Sequence, residues 1–330
     1  MNLGHVDQIA RAVLYEGYML YPYRPSSVKN RHRWNFGVLY PQAYSETQGG
    51  SDASRLRTEC LVNGTAATSL VVRLRFLQLQ LRYSQDDGVL GTASMPDGWQ
   101  EAVEREVAIP PFTFARAAAQ PVSQTFGFPP QTTIDADSET GGEIVRCQSE
   151  IRGEVEVVTQ QVRENLVKVT VDVRNTSTIE TSNPTRDSAL VHSFVSMHAV
   201  LGVSGGEFLS LLEPPPELEE IAGQCQNVGV WPVLVGDANQ RDTLLASPII
   251  LYDYPQIAPE SAGDLFDGTE IDEILSLRIM TLTDEEKREI RDSDERARQI
   301  LERTDHMPAE QFMKLHGRVR GLRLLKESTP

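Results

Sequence analysis

The chain has 330 residues, of which 40% are hydrophobic and 24% charged, so it is long enough for a large core or two domains. Its formal net charge of −16 disfavours general binding to nucleic acid, whose phosphates would repel an acidic surface. No apolar run approaches the length of a membrane span, and the N-terminal residues lack the apolar region of a signal peptide. Three widely spaced cysteines, Cys60, Cys147 and Cys225, are typical of reduced thiols, so we expect a cytoplasmic protein without a membrane span.

The first fifty residues are predicted to contain one helix and one short strand. Apolar residues at helical spacing predict a helix over residues 5–20, and Pro22 and Pro25 then prevent any regular element. The apolar run at residues 34–40 predicts a short strand. Residues 45–54 are rich in Ser and Gly, which indicates a flexible turn.

Two strands are predicted in the next part of the chain. Apolar and polar residues alternate over residues 55–83, which is typical of a strand in a half-exposed sheet. The alternation breaks once, at Phe76 and Leu77, and a bulge would explain the break. Residues 99–109 form the second candidate strand, which two consecutive prolines are expected to end.

The middle of the chain is predicted to hold a long loop and then a hairpin. Residues 115–142 show little periodicity and contain several Pro and Gly residues, so we interpret them as a loop. Residues 153–174 alternate in two runs around Asn165, which predicts a β-hairpin. Its buried face would carry six valines: Val155, Val157, Val167, Val169, Val171 and Val173.

The pattern after the hairpin is less distinct. Residues 190–203 are apolar and fit either a helix or a buried strand. The glycine pair at residues 205–206 predicts a turn before an apolar stretch at residues 208–212. Residues 228–235 and 248–252 indicate two further strands.

The last quarter of the chain is predicted to be helical and acidic. Apolar spacing predicts a helix that begins after Thr269, and Thr283 with Glu286 forms a capping box for a second helix over residues 284–303. Residues 260–305 hold 15 Asp/Glu against 7 Lys/Arg, a net charge of −8.

These elements predict an α+β fold in which a mainly antiparallel sheet or sandwich is followed by an acidic helical extension. We divide the chain into an aromatic and basic N-terminal segment at residues 1–40, a β-rich core domain at residues 41–257, and a helical C-terminal region at residues 258–330.

The strongest candidate for a binding surface is the aromatic–basic segment, residues 15–36. Residues 24–33 hold four Arg/Lys and no Asp/Glu in an otherwise acidic protein. Aromatic rings and arginines are the side chains that most often anchor a protein partner. The same residues could instead pack on the protein's own sheet and acids, and the sequence leaves both interpretations open. The predicted partner-binding residues are Tyr18, Tyr21, Tyr23, Arg24, Lys29, Arg31, Arg33 and Trp34.

An acidic cluster is the weaker candidate, for a hard cation such as Ca²⁺ or Mg²⁺. Its spacing does not match an EF-hand loop, and a capped helix with acids in its first turn explains it more simply. Its members are Asp253, Asp264, Asp267, Glu270, Asp272 and Glu273.

Scattered residues offer two further sites without a recognisable motif. His192 and His198 would share one face of a strand and could bind zinc with a cysteine, but no paired cysteines accompany them, so structural roles are favoured. Ser193, Ser196 and Ser204 lack a Gly-x-Ser-x-Gly setting, although a triad of dispersed residues stays open. Cys60 and Cys225 are equally unsupported as nucleophiles.

Three stretches of the chain, residues 15–31, 247–261 and 264–278, resemble an uncharacterised bacterial protein family associated with gene clusters of nickel–iron hydrogenases. The resemblance implies an accessory role in assembling or supporting a hydrogenase, with hydrogenase subunits or maturation factors as partners. It supplies no catalytic residue. The chain has no His-rich tract and no paired cysteines, which disfavours a role in metal delivery.

We therefore expect a non-enzymatic accessory or interaction protein without a cofactor. An enzyme or metal-binding protein with a site built from scattered His, Cys and Asp residues is the alternative. Formation of a homo-oligomer is left open.

Overall fold

The structure of the protein is a computed structural model that describes five long stretches, residues 36–84, 99–136, 142–180, 184–237 and 239–256. It also describes a few residues outside these stretches: Ile9, Ala10, Leu14, Leu282, Thr283, Asp284, Lys287, Arg288, Arg298, Leu301, Glu302 and His306.

The chain divides into two units by its internal contacts. One unit comprises residues 1–18 and 32–256, and the other comprises residues 19–31 and 257–330. Among the described residues, no helix is long and apolar enough to cross a membrane. The predicted domain boundaries at residues 40 and 257 stay predictions.

The first unit is built on one antiparallel sheet, so the predicted mainly antiparallel β architecture is confirmed. Its ten strands are β1 Arg55–Ser84, β2 Trp99–Thr113, β3 Val122–Phe128, β4 Gln131–Ala136, β5 Glu143–Gln148, β6 Ile151–Arg163, β7 Leu166–Asn175, β8 Val195–Phe208, β9 Trp231–Leu234 and β10 Thr243–Ser247. The short helices beside it are α1 Gln42–Thr47, α2 Phe114–Ala119, α3 Arg186–Leu190 and α4 Glu219–Gly223, the last preceded by a 3-10 turn at Pro216–Leu218.

The long strand β1 organises the sheet because different partners pair with its two ends. The strand order is β3-β6-β7-β1-β8-β10-β9. The first part of β1, from Arg55 to Asn63, pairs with β7, and the later part, from Ser69 to Arg82, pairs with β2. On its other edge β1 pairs with β8 and, at its end, with β5, which carries β4. β1 therefore pairs with β7 at its start, lies between β2 and β8 in its middle, and lies between β2 and β5 at its end.

The sheet bends until β3 faces β1 across the core. β3 is three strands away from β1, and strands lie about 4.8 Å apart, so a flat sheet would separate them by roughly 14 Å. Instead, the ring centroid of Phe126 in β3 lies 6.2 Å from that of Phe76 in β1. The ring of Phe194 lies 4.8 Å from Phe76, and Phe128 completes this aromatic centre of the core.

The predicted hairpin is confirmed as β6 and β7. Val155 faces Val173 and Val157 faces Val171 across the two strands, and Asn165 takes positive φ in the turn. The six predicted valines are all buried. β1 and β2 also agree with the predicted strands, but β2 continues through Pro110 and Pro111 because its register shifts there, and a bulge tolerates proline.

The bulge predicted at Phe76 is found, but its extra residue belongs to β8. Arg75 pairs with His198 and Leu77 with Val195, so Ser196 and the following Met197 both lie opposite Phe76. Of the two alternatives for residues 190–203 the structure has the strand: β8 begins at Val195, and only Leu190 belongs to the preceding helix α3.

Several sequence-based predictions in this unit are wrong. Residues 115–142 are not a loop, since they hold α2, β3 and β4, whose ends coincide with the prolines that suggested a loop. The turn predicted at residues 45–54 begins within α1. β8 continues through residues 205–206 with positive φ at Gly205 instead of turning there. The strand predicted at residues 248–252 is instead β10, immediately before it.

Other predictions are met in part or lie outside the described residues. Leu39 forms one isolated bridge to Phe194 in place of the strand predicted at residues 34–40. Ile9, Ala10 and Leu14 are helical and buried, as the N-terminal helix predicts. In the second unit Lys287 donates its backbone N–H to the carbonyl of Thr283, 2.9 Å away. Most of the predicted acidic helical extension lies outside the described residues.

Candidate functional site

Two of the predicted sites lie outside the described residues and stay predictions. The first is the set of partner-binding residues in the aromatic–basic segment: Tyr18, Tyr21, Tyr23, Arg24, Lys29, Arg31, Arg33 and Trp34. The second is the acidic cluster, with its residues Asp264, Asp267, Glu270, Asp272 and Glu273.

Asp253 is the described member of that acidic cluster, and it joins three segments of the protein. Its Oδ1 accepts the backbone N–H of Leu234 at 2.7 Å, and its Oδ2 accepts the hydroxyl of Ser210 at 2.5 Å. The same Ser210 oxygen accepts the backbone N–H groups of Leu212 and Glu213. Both carboxylate oxygens of Asp253 therefore have a structural role.

The two histidines proposed as zinc ligands are not brought together. His192 lies in the turn before β8, where Nδ1 is 3.1 Å from the carbonyl oxygen of Glu150. His198 lies within β8 and has other partners. No group of three or more His, Cys, Asp or Glu side chains in the described stretches is placed to hold a metal ion.

Neither of the two cysteines considered as nucleophiles gains support from its surroundings: Cys60 is buried and Cys225 is partly buried. Burial raises the pKa of the fully buried Cys60 thiol far above its ordinary value. Burial likewise raises the pKa of the Cys225 thiol to about 11, with a smaller contribution from the negative charge of Glu59. The raised pKa values favour the protonated thiols at neutral pH, which are weaker nucleophiles than thiolates.

A serine–histidine pair that the sequence did not suggest lies between β8 and β10. His198 Nε2 is 3.2 Å from Ser247 Oγ, and its Nδ1 is 2.6 Å from the carbonyl oxygen of Ser196. The carbonyl can only accept, so Nδ1 carries the proton and Nε2 accepts the Ser247 hydroxyl. Burial lowers the pKa of His198 to about 4, which keeps the ring neutral at physiological pH.

Backbone strain accompanies this pair. Ser196 has φ of +53° at the β8 bulge, and its buried hydroxyl has no hydrogen-bond partner among the described residues. A non-glycine residue in this conformation and a bulge are both frequent beside functional sites. Yet His198 and Ser247 each have 0% exposure, so a substrate has no access to the hydroxyl. In this state the pair fastens β10 to β8.

A polar network occupies the interior face of the sheet at the end of β1. Gln78 and Gln80 lie on the same face as Phe76 and are buried. Arg105 of β2 donates to Gln78 Oε1 at 2.8 Å and to Gln148 Oε1 at 2.7 Å, and Gln148 donates to Gln80 Oε1 at 2.8 Å. The Arg105 guanidinium stacks 4.6 Å above the ring centre of Phe128.

The network continues toward β4 through charged side chains. Glu101 Oε2 accepts Gln80 Nε2 and Arg146 Nε, both at 2.8 Å, and Arg146 Nη1 donates to Asp135 at 2.7 Å. Gln78 Nε2 donates to the carbonyl of Ser149 at 2.8 Å. Four strands, β1, β2, β4 and β5, are thus joined by side chains bonded mainly to one another.

A cluster of charged side chains links the start of β1 to β7. Asp172 is only 4% exposed and accepts two hydrogen bonds from Arg55 and one from Arg57, the latter at 3.0 Å. Burial acts to raise the Asp172 pKa, but the hydrogen bonds and charges of Arg55 and Arg57 outweigh it and hold the pKa below its ordinary value.

An apolar surface is exposed around the end of the sheet formed by β9 and β10. Tyr252 is 87% exposed, Ile250 73% and Trp231 45%. Of the eight large apolar residues that are exposed in the described part of the chain, six lie on the segments around this end. We call this set the apolar surface: Phe36, Leu212, Val228, Trp231, Ile250 and Tyr252.

Contacts between the segments bring the chain around five of these residues to this end of the sheet, while Val228 forms a bridge to Arg57 of β1 three residues before Trp231. Trp231 pairs with Ser247, from which Ile250 is three residues away. The bond between Asp253 and Ser210 brings Tyr252 close to Leu212. An added Cβ at Gly37 would lie 2.5 Å from Pro248, which shows how closely the chain beside Phe36 packs on this region.

No protein-family model matches this chain, and no curated protein matches it in sequence. The association with hydrogenase gene clusters therefore stays a prediction from the resemblance. The apolar surface could be found only in part from the sequence, since Trp231, Ile250 and Tyr252 occur in segments predicted to be strands, where apolar residues are expected to be buried.

Proposed function

We propose that this protein is a non-enzymatic accessory protein that works by binding another protein. The observation that carries the proposal is the apolar surface. Side chains such as Tyr252 and Ile250 gain roughly 25 cal/mol for each Å² of apolar area removed from water. Several large apolar residues exposed on one part of a folded protein commonly mark a binding site. Their concentration at one end of the sheet supports a docking function.

The placement of the titratable groups also supports a binding role over chemistry. Asp172, Glu59 and Asp253 are each bonded to backbone or side-chain donors of the same unit. His198 is enclosed with its serine partner. These groups hold the sheet together, whereas a catalytic group needs access to substrate.

We also propose a class of partner and a cellular location for this protein. The resemblance to a hydrogenase-associated family supports hydrogenase subunits or maturation factors as partners. We propose that the aromatic–basic segment and the acidic helical extension, residues 258–330, supply further contact surfaces on the β-rich core. Partners of that kind would place the protein in the cytoplasm, in keeping with its three unpaired cysteines.

Affinity capture from the native host tests this function. The tagged full chain is expected to retain a defined partner, identified by mass spectrometry, at near-equal stoichiometry. Arg31→Ala with Arg33→Ala should weaken capture most at low salt, and the difference from wild type should shrink as salt rises, if these side chains contact the partner at the rim of an interface. Arg116→Ala, at an exposed position on α2, is the matched control. A chain that retains no partner under any ionic strength would contradict the proposal.

The alternative is an enzyme that uses the pair of Ser247 and His198, since a serine bonded to a neutral histidine is the arrangement of an activated nucleophile. A fluorophosphonate probe tests it directly. We expect no labelling of the wild type beyond that of Ser247→Ala, because the hydroxyl is enclosed. Labelling that is lost in Ser247→Ala would establish the alternative.

Elemental analysis of the gently purified protein tests the metal-binding alternative. We expect no stoichiometric transition metal, because the described histidines and cysteines do not converge. About one zinc, nickel or iron per chain would overturn this expectation.

A further inference from the structure

We infer that the apolar surface binds a protein segment in which lysines or arginines flank a bulky apolar side chain. This inference rests on the proposed function and specifies the chemistry of the partner. It follows from two neighbouring features: the exposed apolar side chains and a rim of exposed carboxylates beside them.

The apolar centre is held in place by hydrogen bonds that fix the segments carrying it. Tyr254 donates its backbone N–H to the carbonyl of Leu234 at 2.7 Å, and Asp253 accepts the N–H of the same Leu234. Tyr252 therefore projects from a segment anchored to β9. Trp231 is part of β9 itself, in register with Ser247. A surface fixed in this way loses little conformational entropy when a partner binds.

The rim is acidic and lies in the segment that carries Leu212. Its four exposed carboxylates are Glu213, Glu217, Glu219 and Glu220. No Lys or Arg occurs between residues 187 and 240 in the sequence. Arg163 of β6 reaches this segment, where its Nη1 donates to the backbone carbonyl of Glu217 at 3.2 Å. The excess of negative charge favours a basic partner.

Apolar packing keeps this rim beside the apolar surface. Leu211, Leu218 and Ile221 pack against the cluster formed by Leu61 and Leu166, on the outer side of β1 and β7. Glu213 is tied to the same place by its N–H bond to Ser210. The carboxylates therefore lie on a packed segment that also carries Leu212.

The same features exclude other occupants. Nucleic acid and anionic lipid would be repelled by the carboxylates. Addition of a strand to the free edge of β9 is blocked, since Pro232 lacks an N–H and Leu234 already bonds to residues 253 and 254. The partner must be held by side-chain contacts, with an apolar anchor against Tyr252 and cations at the rim.

Direct binding of two synthetic peptides tests the inference. One peptide carries a tryptophan and two leucines between four lysines, and its matched version has four glutamates in place of the lysines. Fluorescence anisotropy with the full chain should show binding of the lysine peptide, at least tenfold tighter than the glutamate peptide at low salt. The difference should shrink as salt rises.

Two surface variants locate the site. Ile250→Ser with Tyr252→Ser should weaken the lysine peptide at least tenfold, because it removes the apolar anchor. Glu217→Lys with Glu220→Lys should weaken it several-fold and remove most of the salt dependence. The matched controls are Ile134→Ser and Glu143→Lys, exposed changes on β4 and β5, which should leave affinity unchanged.

Each outcome distinguishes the inference from the proposed function. Equal affinity for both peptides, no measurable affinity for either, or equal weakening by the control variants overturns the inference. If capture from the native host retains its partner in both surface variants, the accessory function stands and this surface is not its site. If the peptides bind as expected but no partner is captured, the surface is correct and the accessory function fails.

Discussion

The two ends of β1 line the same interior face of the sheet in opposite ways. Near its start, β1 and the hairpin β6–β7 fill the interior with apolar side chains, Val169 and Val171 among them. Near its end, Gln78 and Gln80 occupy the corresponding positions and are also buried. One end is stabilised by transfer of apolar surface out of water, and the other by hydrogen bonds among polar groups. Burial by itself therefore does not reveal what holds a strand in place.

The largest effect is expected at the apolar end. Val169→Asp would bury a carboxylate without a partner, so it should lower the free energy of unfolding by at least about 4 kcal/mol or prevent folding. Urea unfolding followed by circular dichroism measures this. Val162→Asp makes the same change at an exposed position of β6 and should cost less than about 0.5 kcal/mol. Similar costs for the two variants would contradict an apolar interior at Val169.

A buried histidine is expected to make the free energy of unfolding depend on pH. His198 has a folded pKa of about 4, below the 6.5 of the unfolded chain. The neutral ring therefore contributes stability that is complete above pH 6.5 and is lost as the pH falls from there toward 4, by at most about 1.4 kcal/mol per pH unit. His198→Gln should flatten the stability curve in that window. An equally steep curve in the variant would place the responsible group elsewhere.

At the polar end, Gln78→Leu should cost about 1–3 kcal/mol despite the similar side-chain volume. The change leaves the part-buried carbonyl of Ser149 without its donor and removes one acceptor from Arg105. Gln131→Leu, at an exposed position of β4, is the control and should be nearly neutral. A stabilised Gln78→Leu would show that hydrogen bonding does not hold this end together.

The charged cluster on the outer side should give the smallest effect. Asp172→Asn should cost about 1–2 kcal/mol at neutral pH, since its arginine partners are partly exposed to solvent. The Asp172 pKa is lowered on folding, so its stabilisation is present above about pH 4 and is lost as the pH falls through the lower folded pKa. The difference between wild type and variant should therefore shrink in acid, and a constant difference would contradict the role of the charge.

The sequence predicted the apolar end well because apolar and polar residues alternate there with the period of a β-strand. The alternation of valines over residues 153–174 predicted the hairpin, its buried face and the turn at Asn165, and the structure confirms each. The alternation over residues 55–83 likewise predicted β1. The burial of its polar members Gln78 and Gln80 could not be predicted, because the sequence of one strand does not reveal that Arg105 and Gln148 approach from its neighbours.

The rest could not be predicted because it depends on contacts distant in sequence. β3 and β4 were interpreted as loop since prolines bound them and their half-exposed side chains weaken the alternation. His198 and Ser247 are 49 positions apart and meet only because β10 pairs with β8. The apolar surface likewise requires knowing that the segment after β10 remains outside the sheet.

The length of β1 has a consequence for the protein during its synthesis. Arg55 must pair with Asp172, 117 positions later in the chain, and β8 follows β7. At roughly 5–20 residues per second, the ribosome takes on the order of ten seconds to deliver those partners. For that time the first part of β1, from Arg55 to Asn63, lacks its β7 partner, whereas the later part can already pair with β2. Arg55 and Arg57 place like charges on this unpaired part and oppose pairing between nascent chains.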